Sequence, residues 1–116
     1  MTNVLVIDDD VAVAELMAVV LQDAKFRVSV AHRPSEIPKE HFDCIVTDLV
    51  DIDRYSFDDA RDWVLRIADR FPKTPIIVVT AHGGARADTQ RLGARVLMKP
   101  FDVDELVMAV REVTTS

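Results

Sequence analysis

Short apolar runs alternate with stretches of helical periodicity along almost the whole chain. Val4-Leu5-Val6-Ile7, Cys44-Ile45-Val46 and Ile76-Ile77-Val78-Val79 are brief, rich in β-branched residues and bounded by polar or turn residues. Runs of this kind belong to strands covered on both faces, as in the middle of a parallel sheet. Arg27-Val28-Ser29-Val30 alternates polar and apolar, the pattern of an edge strand with one wetter face. Arg95-Val96-Leu97-Met98, flanked by charge, supplies a fifth candidate strand.

Helical patterns fill the intervals. Between Val11 and Ala24, Leu16, Val19, Val20 and neighbouring aliphatics build one wide apolar face. Between Phe57 and Phe71, Ala60, Val64, Ile67, Ala68 and Phe71 recur at helical spacing, behind a start signal of Ser56 paired with Asp59. A last helix begins at Asp102, with Glu105 at the matching capping position and a stripe of Val103, Leu106, Val107, Val110 and Val113. The segments 34–41, broken by Pro38, and 83–92 carry weaker patterns and predict only short helices.

Strand and helix thus alternate about five times. Parallel strands need crossovers, and right-handed crossovers put helices on both faces of the sheet. The expectation is an α/β domain over residues 1–116: a doubly wound, flavodoxin-like sheet of five parallel strands in the order 2-1-3-4-5.

Composition narrows the function. A chain of 116 residues with 49% apolar residues has room for one core and one domain. The net charge of -6 argues against direct nucleic-acid binding, which needs Lys and Arg to neutralise phosphates. No apolar stretch reaches the length of a membrane span and no charged-then-apolar leader opens the chain, so a cytoplasmic location is expected. The single cysteine, Cys44, fits a reducing compartment and reads as a small core residue.

The chemistry gathers at strand ends. Asp8, Asp9 and Asp10 follow the first apolar run directly, and Asp48 follows the third. In the expected strand order these two strands are neighbours where the winding reverses, and ligands of open α/β sheets bind in the crevice beyond their carboxyl ends. Carboxylates brought together there repel, and a hard divalent cation such as Mg²⁺ relieves the repulsion. Thr80 ends the fourth run, while Lys99 follows the fifth and precedes Pro100. A hydroxyl and an ammonium at the same mouth can hold phosphoryl oxygens, and phosphoryl transfer is mostly positioning and charge neutralisation.

With these residues the chain resembles the response regulator receiver family of two-component systems. Asp8-Asp9, Asp48, Thr80-Ala81, Leu92-Gly93-Ala94 and Lys99-Pro100-Phe101 carry the resemblance, which runs from Val4 to Val113. It implies that Asp48 accepts a phosphoryl group from a sensor histidine kinase or a histidine phosphotransfer protein. It implies Mg²⁺ held by Asp8, Asp9, Asp48 and the backbone carbonyl of Val50. Thr80 and Lys99 would contact the phosphoryl group, helped by backbone N–H groups of Leu49 and Ala81. Such a domain catalyses its own phosphorylation and dephosphorylation, turns over no separate substrate, and signals by contact with a downstream protein.

The chain also departs from the family. The segment from Leu49 to Phe57 lacks the Met-Pro and Gly that members often carry after the phosphoacceptor, and Tyr55 stands in it as a candidate lid. Val96 occupies the usual aromatic switch position, so output is expected to use the loop after Asp48 or the last helix rather than a ring rotation. His82, two residues past Thr80, is either a surface histidine or a residue that tunes water access to the acyl phosphate.

Plainer roles stand beside these. Asp10 reads as a helix N-cap, Asp51 and Asp53 as solvated loop acids, Trp63 and Phe71 as packing residues, and Asp62–Arg66 as a surface ion pair. Two other functions remain open. Asp8-x-Asp10 after a buried strand also resembles the first motif of haloacid-dehalogenase-type phosphatases, with Asp8 as nucleophile, but that leaves Asp48 without a role. A non-phosphorylated interaction module of receiver fold is the other, and it would be expected to have lost acids or the Lys that are all present here.

Overall fold

Every apolar run forms a strand: β1 (Asn3–Ile7), β2 (Arg27–Ala31), β3 (Cys44–Thr47), β4 (Ile76–Thr80) and β5 (Arg95–Met98), in a computed structural model that describes residues 1–49 and 56–115. All pair in parallel in the order β2-β1-β3-β4-β5, as expected. β1, β3 and most of β4 are buried, while β2 and β5 lie at the edges and are wetter.

Alternation along the strands divides the core into two layers. Leu5, Ile7, Ile45 and Val78 point to one face, under Trp63, Val64 and Ile67 of α2 (Phe57–Arg70) and Ala85 of α3 (Ala85–Arg91). Val4, Val6, Cys44, Val46, Ile77 and Val79 point to the other, under α1 (Val11–Asp23) and α4 (Val103–Thr114). Each fully buried Leu or Ile contributes about 1.5–3 kcal/mol by leaving water. No helix among the described residues is long and apolar enough to cross a membrane.

The helix starts follow the sequence signals. Asp10 caps α1 by accepting from the Val13 N–H, and Ser56 caps α2 by accepting from Asp59 N–H. Asp102 and Glu105 form a capping box at α4. Gly93, at φ 88, turns the chain from α3 into β5, a conformation that costs other residues a steric clash with Cβ.

Three details differ from the sequence reading. Leu16 and Val19 are 53% exposed, and α1 instead buries Ala14, Met17, Ala18, Val20 and Leu21. The apolar face of this helix is wider than the side it buries, so periodicity alone could not choose which part faces inward. Val103, in the first turn of α4, is likewise half exposed. The segment 34–41 forms only a short 3-10 helix at Pro34–Glu36, as expected, because Pro38 has no N–H to extend it; Ile37 and Phe42 anchor it to the core. Among the described residues, Asp62 pairs with Arg61 rather than Arg66.

Candidate functional site at the carboxyl end of the sheet

The sheet itself assembles the site. Ile7 pairs with Thr47, so the next residues, Asp8 and Asp48, leave β1 and β3 side by side. The Asp48 N–H donates to the Ile7 carbonyl at 2.8 Å, and the Asp8 N–H donates to the Ala31 carbonyl at 3.1 Å. At the other side, Thr80 pairs with Met98, and the Lys99 N–H donates to the Thr80 carbonyl at 2.9 Å. Backbone ladders thus fix the four positions before any side chain acts.

Lys99 joins the acids. Its Nζ lies 3.1 Å from Oδ2 of Asp8 and 3.1 Å from Oδ2 of Asp48. The remaining oxygens are also bonded: Asp8 Oδ1 accepts from the Asp10 N–H at 2.9 Å, and Asp48 Oδ1 accepts from the Leu49 N–H at 2.8 Å. Asp8 is fully buried, Asp48 and Lys99 are partly so, and Asp9 is exposed at the rim.

Burial holds the Asp8 carboxyl above the usual carboxylate range, although the Asp10 N–H and Lys99 pull it back. Lys99 responds in the opposite balance. Burial lowers it, but the attraction of Asp48 and Asp8 outweighs burial and leaves it raised. Ionised Asp8 is therefore held at a cost near neutral pH, and an added cation would offset that cost.

The donor set fits a hard metal ion. One carboxylate oxygen from each of Asp8, Asp9 and Asp48 lies within 4.8 Å of the other two. Oxygen donors alone, from a mixture of buried and exposed acids, suit Mg²⁺ or Ca²⁺ rather than a soft metal.

The other expected residues lie nearby in different states. The Thr80 hydroxyl is buried and accepts from the His82 N–H at 3.1 Å, so it is turned toward the β4–α3 connection. Ala81 is exposed in that connection and His82 is half buried. Val96 is half buried on β5 opposite Val78, packed against the α2 layer. Val50 and Tyr55 lie outside the described residues, as do Asp51 and Asp53.

Two supports of the site were not visible in the sequence. The Trp63 indole N–H donates to the Thr47 hydroxyl at 3.0 Å, and that hydroxyl donates to the Asp48 carbonyl at 2.7 Å. Trp63 read as packing alone; a Thr just before the phosphoacceptor candidate was the only available signal. His32, at the end of β2, has Nδ1 3.0 Å from the Asp8 carbonyl. Nothing in its spacing linked it to β1.

Comparisons with known proteins agree with this fold. The family model described as the response regulator receiver domain matches residues 4–111. The response regulator protein PilR of Pseudomonas aeruginosa is 30% identical over 109 residues, covering 88% of this chain and 24% of PilR. The chain thus spans about a quarter of that relative's length. The receiver domain of Francisella response regulator 1452 superposes with a TM-score of 0.77 at 25% identity, over 98% of this chain and 97% of that one. A Burkholderia pseudomallei response regulator, solved with a phosphorylated aspartic acid, a calcium ion and citrate, matches with a TM-score of 0.77 at 26% identity. That match covers 95% of this chain and 66% of the other.

Proposed function

The chain belongs to the response regulator receiver family of two-component signalling, a family of signalling domains rather than classical enzymes, and we propose that Asp48 is its phosphoacceptor. The observation that carries this reading is the bridge of Lys99 between Asp8 and Asp48. It puts one ammonium beside the proposed nucleophile and beside a second acid of the same cluster.

In the proposed reaction a carboxylate oxygen of Asp48 attacks the phosphorus of a phosphohistidine on a sensor histidine kinase or a histidine phosphotransfer protein. The new O–P bond forms as the P–N bond breaks, and the imidazole keeps the electron pair of the broken bond. Lys99 stays beside the forming acyl phosphate and neutralises part of its charge. Asp8, Asp9 and Asp48, with the Val50 carbonyl, would hold Mg²⁺. When bound, Mg²⁺ offsets charge on the phosphoryl oxygens. The N–H groups of Leu49 and Ala81 and the hydroxyl of Thr80 are the remaining donors assigned to the phosphoryl group. Thr80 would have to leave its bond with the His82 N–H to reach it. The resulting change is passed to a downstream protein by contact, with residues 1–116 acting as one receiver unit on the cytoplasmic side.

Asp8 is a poor candidate for the nucleophile. Both acids have their oxygens bonded, but Asp8 is fully buried whereas Asp48 is partly open to solvent. That contrast favours Asp48 over the phosphatase reading. The test is to incubate the chain with Mg²⁺ and a small phosphodonor, then map the modified residue by mass spectrometry after borohydride trapping. Label on Asp48 is expected. Label on Asp8 would transfer the nucleophile to Asp8, and no acyl phosphate with an active donor would favour a non-phosphorylated module.

A further inference from the structure

We propose that His32 is a positioning residue for the Asp8–Asp9 turn, locking the peptide that sets where the Asp9 carboxylate stands. This rests on the reading of the acidic cluster as a Mg²⁺ site.

The argument begins with how Asp8 is held. Its N–H donates to Ala31, its Oδ1 accepts from the Asp10 N–H, and its Oδ2 faces Lys99. The remaining polar group is its backbone carbonyl, and His32 Nδ1 lies 3.0 Å from it. A carbonyl oxygen can only accept, which assigns the ring proton to Nδ1. That carbonyl shares a rigid peptide plane with the N–H of Asp9. Fixing the plane therefore fixes where the Asp9 N–H and Cα stand, the point from which its side chain departs.

Asp9 depends on this more than Asp8 does. It is exposed, and its carboxylate has no hydrogen-bond partner among the described residues, yet it lies within 4.8 Å of the Asp8 and Asp48 oxygens. Its position is inherited from the backbone. His32 is itself anchored, because its N–H donates to Glu36 Oε1 at 2.8 Å. His32 and Asp9 line the same cleft of about 330 Å³, together with Val11, Arg33 and Glu36. The imidazole thus ties the end of β2 to the metal-binding turn after β1, and outer partners of this kind tune metal sites through geometry.

The test compares His32→Leu, which keeps the bulk and removes the donor, with His32→Asn, whose amide NH₂ can reach a similar point. Mg²⁺ affinity is measured by calorimetry on the full chain. The half-saturating Mg²⁺ and the maximal rate of phosphorylation by a small phosphodonor are measured separately. His32→Leu is expected to weaken Mg²⁺ binding about 3- to 10-fold, the loss of one net hydrogen bond. The half-saturating Mg²⁺ should rise in step, with the rate at saturating Mg²⁺ nearly unchanged. His32→Asn should recover most of the affinity. Unchanged Mg²⁺ affinity in His32→Leu overturns the proposal. So does a loss that His32→Asn fails to recover, which would mark His32 as structural only. If the Leu variant does not fold, the ring ¹⁵N shifts of the wild type decide: a neutral imidazole with its proton on Nε2 overturns the assignment. Wild-type chain that binds Mg²⁺ but takes no phosphoryl group would reject Asp48 as acceptor and leave the role of His32 standing.

Discussion

The indole N–H of Trp63 donates to the hydroxyl of Thr47 at 3.0 Å, in a buried contact that couples α2 to the strand carrying Asp48. Thr47 passes the bond on to the Asp48 carbonyl. Trp63→Phe removes the first donor and leaves a small void, so stability should fall by about 1–3 kcal/mol. Urea unfolding of the single and double variants checks this. Thr47→Val should cost less on the Trp63→Phe background than alone, because the bond is already gone. Fully additive losses would mean the two residues are not coupled.

Asp48→Asn should abolish the acyl phosphate while keeping the fold. The Asn carbonyl can still accept from the Leu49 N–H, and the change removes a negative charge beside ionised Asp8. Stability at neutral pH should stay within about 1 kcal/mol of wild type or rise slightly. Intact mass after phosphodonor treatment and a thermal melt read the two effects.

Lys99→Ala should separate phosphorylation from its consequences. Some acyl phosphate should still form, since the acids remain, but the switch should weaken. Without the ammonium, Asp8 and Asp48 face each other uncompensated, and stability should fall by about 1–3 kcal/mol. Added Mg²⁺ should raise the melting temperature of this variant more than that of wild type, because the ion replaces a missing positive charge. Equal Mg²⁺ responses would count against a shared site.

Asp43 supplies a pH test away from the site. The Asn3 N–H donates to its Oδ2 at 2.8 Å and holds its carboxyl below the usual carboxylate range, against a smaller opposing effect of burial and with help from His41. A depressed folded value contributes stability above pH 3.8 that is lost as pH falls through the folded value. Asp43→Asn should therefore be less stable than wild type at pH 7, and the gap should narrow below pH 3.8 and close as pH falls through the lowered folded value. Denaturant midpoints at both ends of that range decide; a gap that persists in acid would assign the effect to shape rather than charge.

Cys44 should be inert in the folded chain. Burial pushes its thiol up to about 12, with Asp43 adding to the effect, and alkylation requires the thiolate. Iodoacetamide at pH 8 should label it only as urea unfolds the chain. Rapid labelling without denaturant would show that β3 opens locally.

Asp8, Asp9, Asp48, Thr80 and Lys99 were legible because each follows an apolar run, and a parallel sheet delivers all its carboxyl ends to one edge. The central strands were legible because short β-branched runs bounded by turn residues suit buried strands. Asp10, Ser56 and Asp102 announced their helices because capping is a local interaction between residues close in sequence.

What escaped was set by contacts between distant residues. Leu16 and Val19 read as core because the apolar face of α1 is wider than the side it can bury, and only packing against β1 and α4 chose its inner part. The hydrogen bonds from Trp63 to Thr47 and from His32 to Asp8 span 16 and 24 positions, so no spacing rule could reveal them. The sequence by itself determined the sheet, its caps and which acids would gather, because those follow from local periodicity and chain topology. Only the tertiary structure decided how the acids are held, through Lys99, His32 and the Trp63–Thr47 pair, because a hydrogen bond needs an orientation that residue order does not contain.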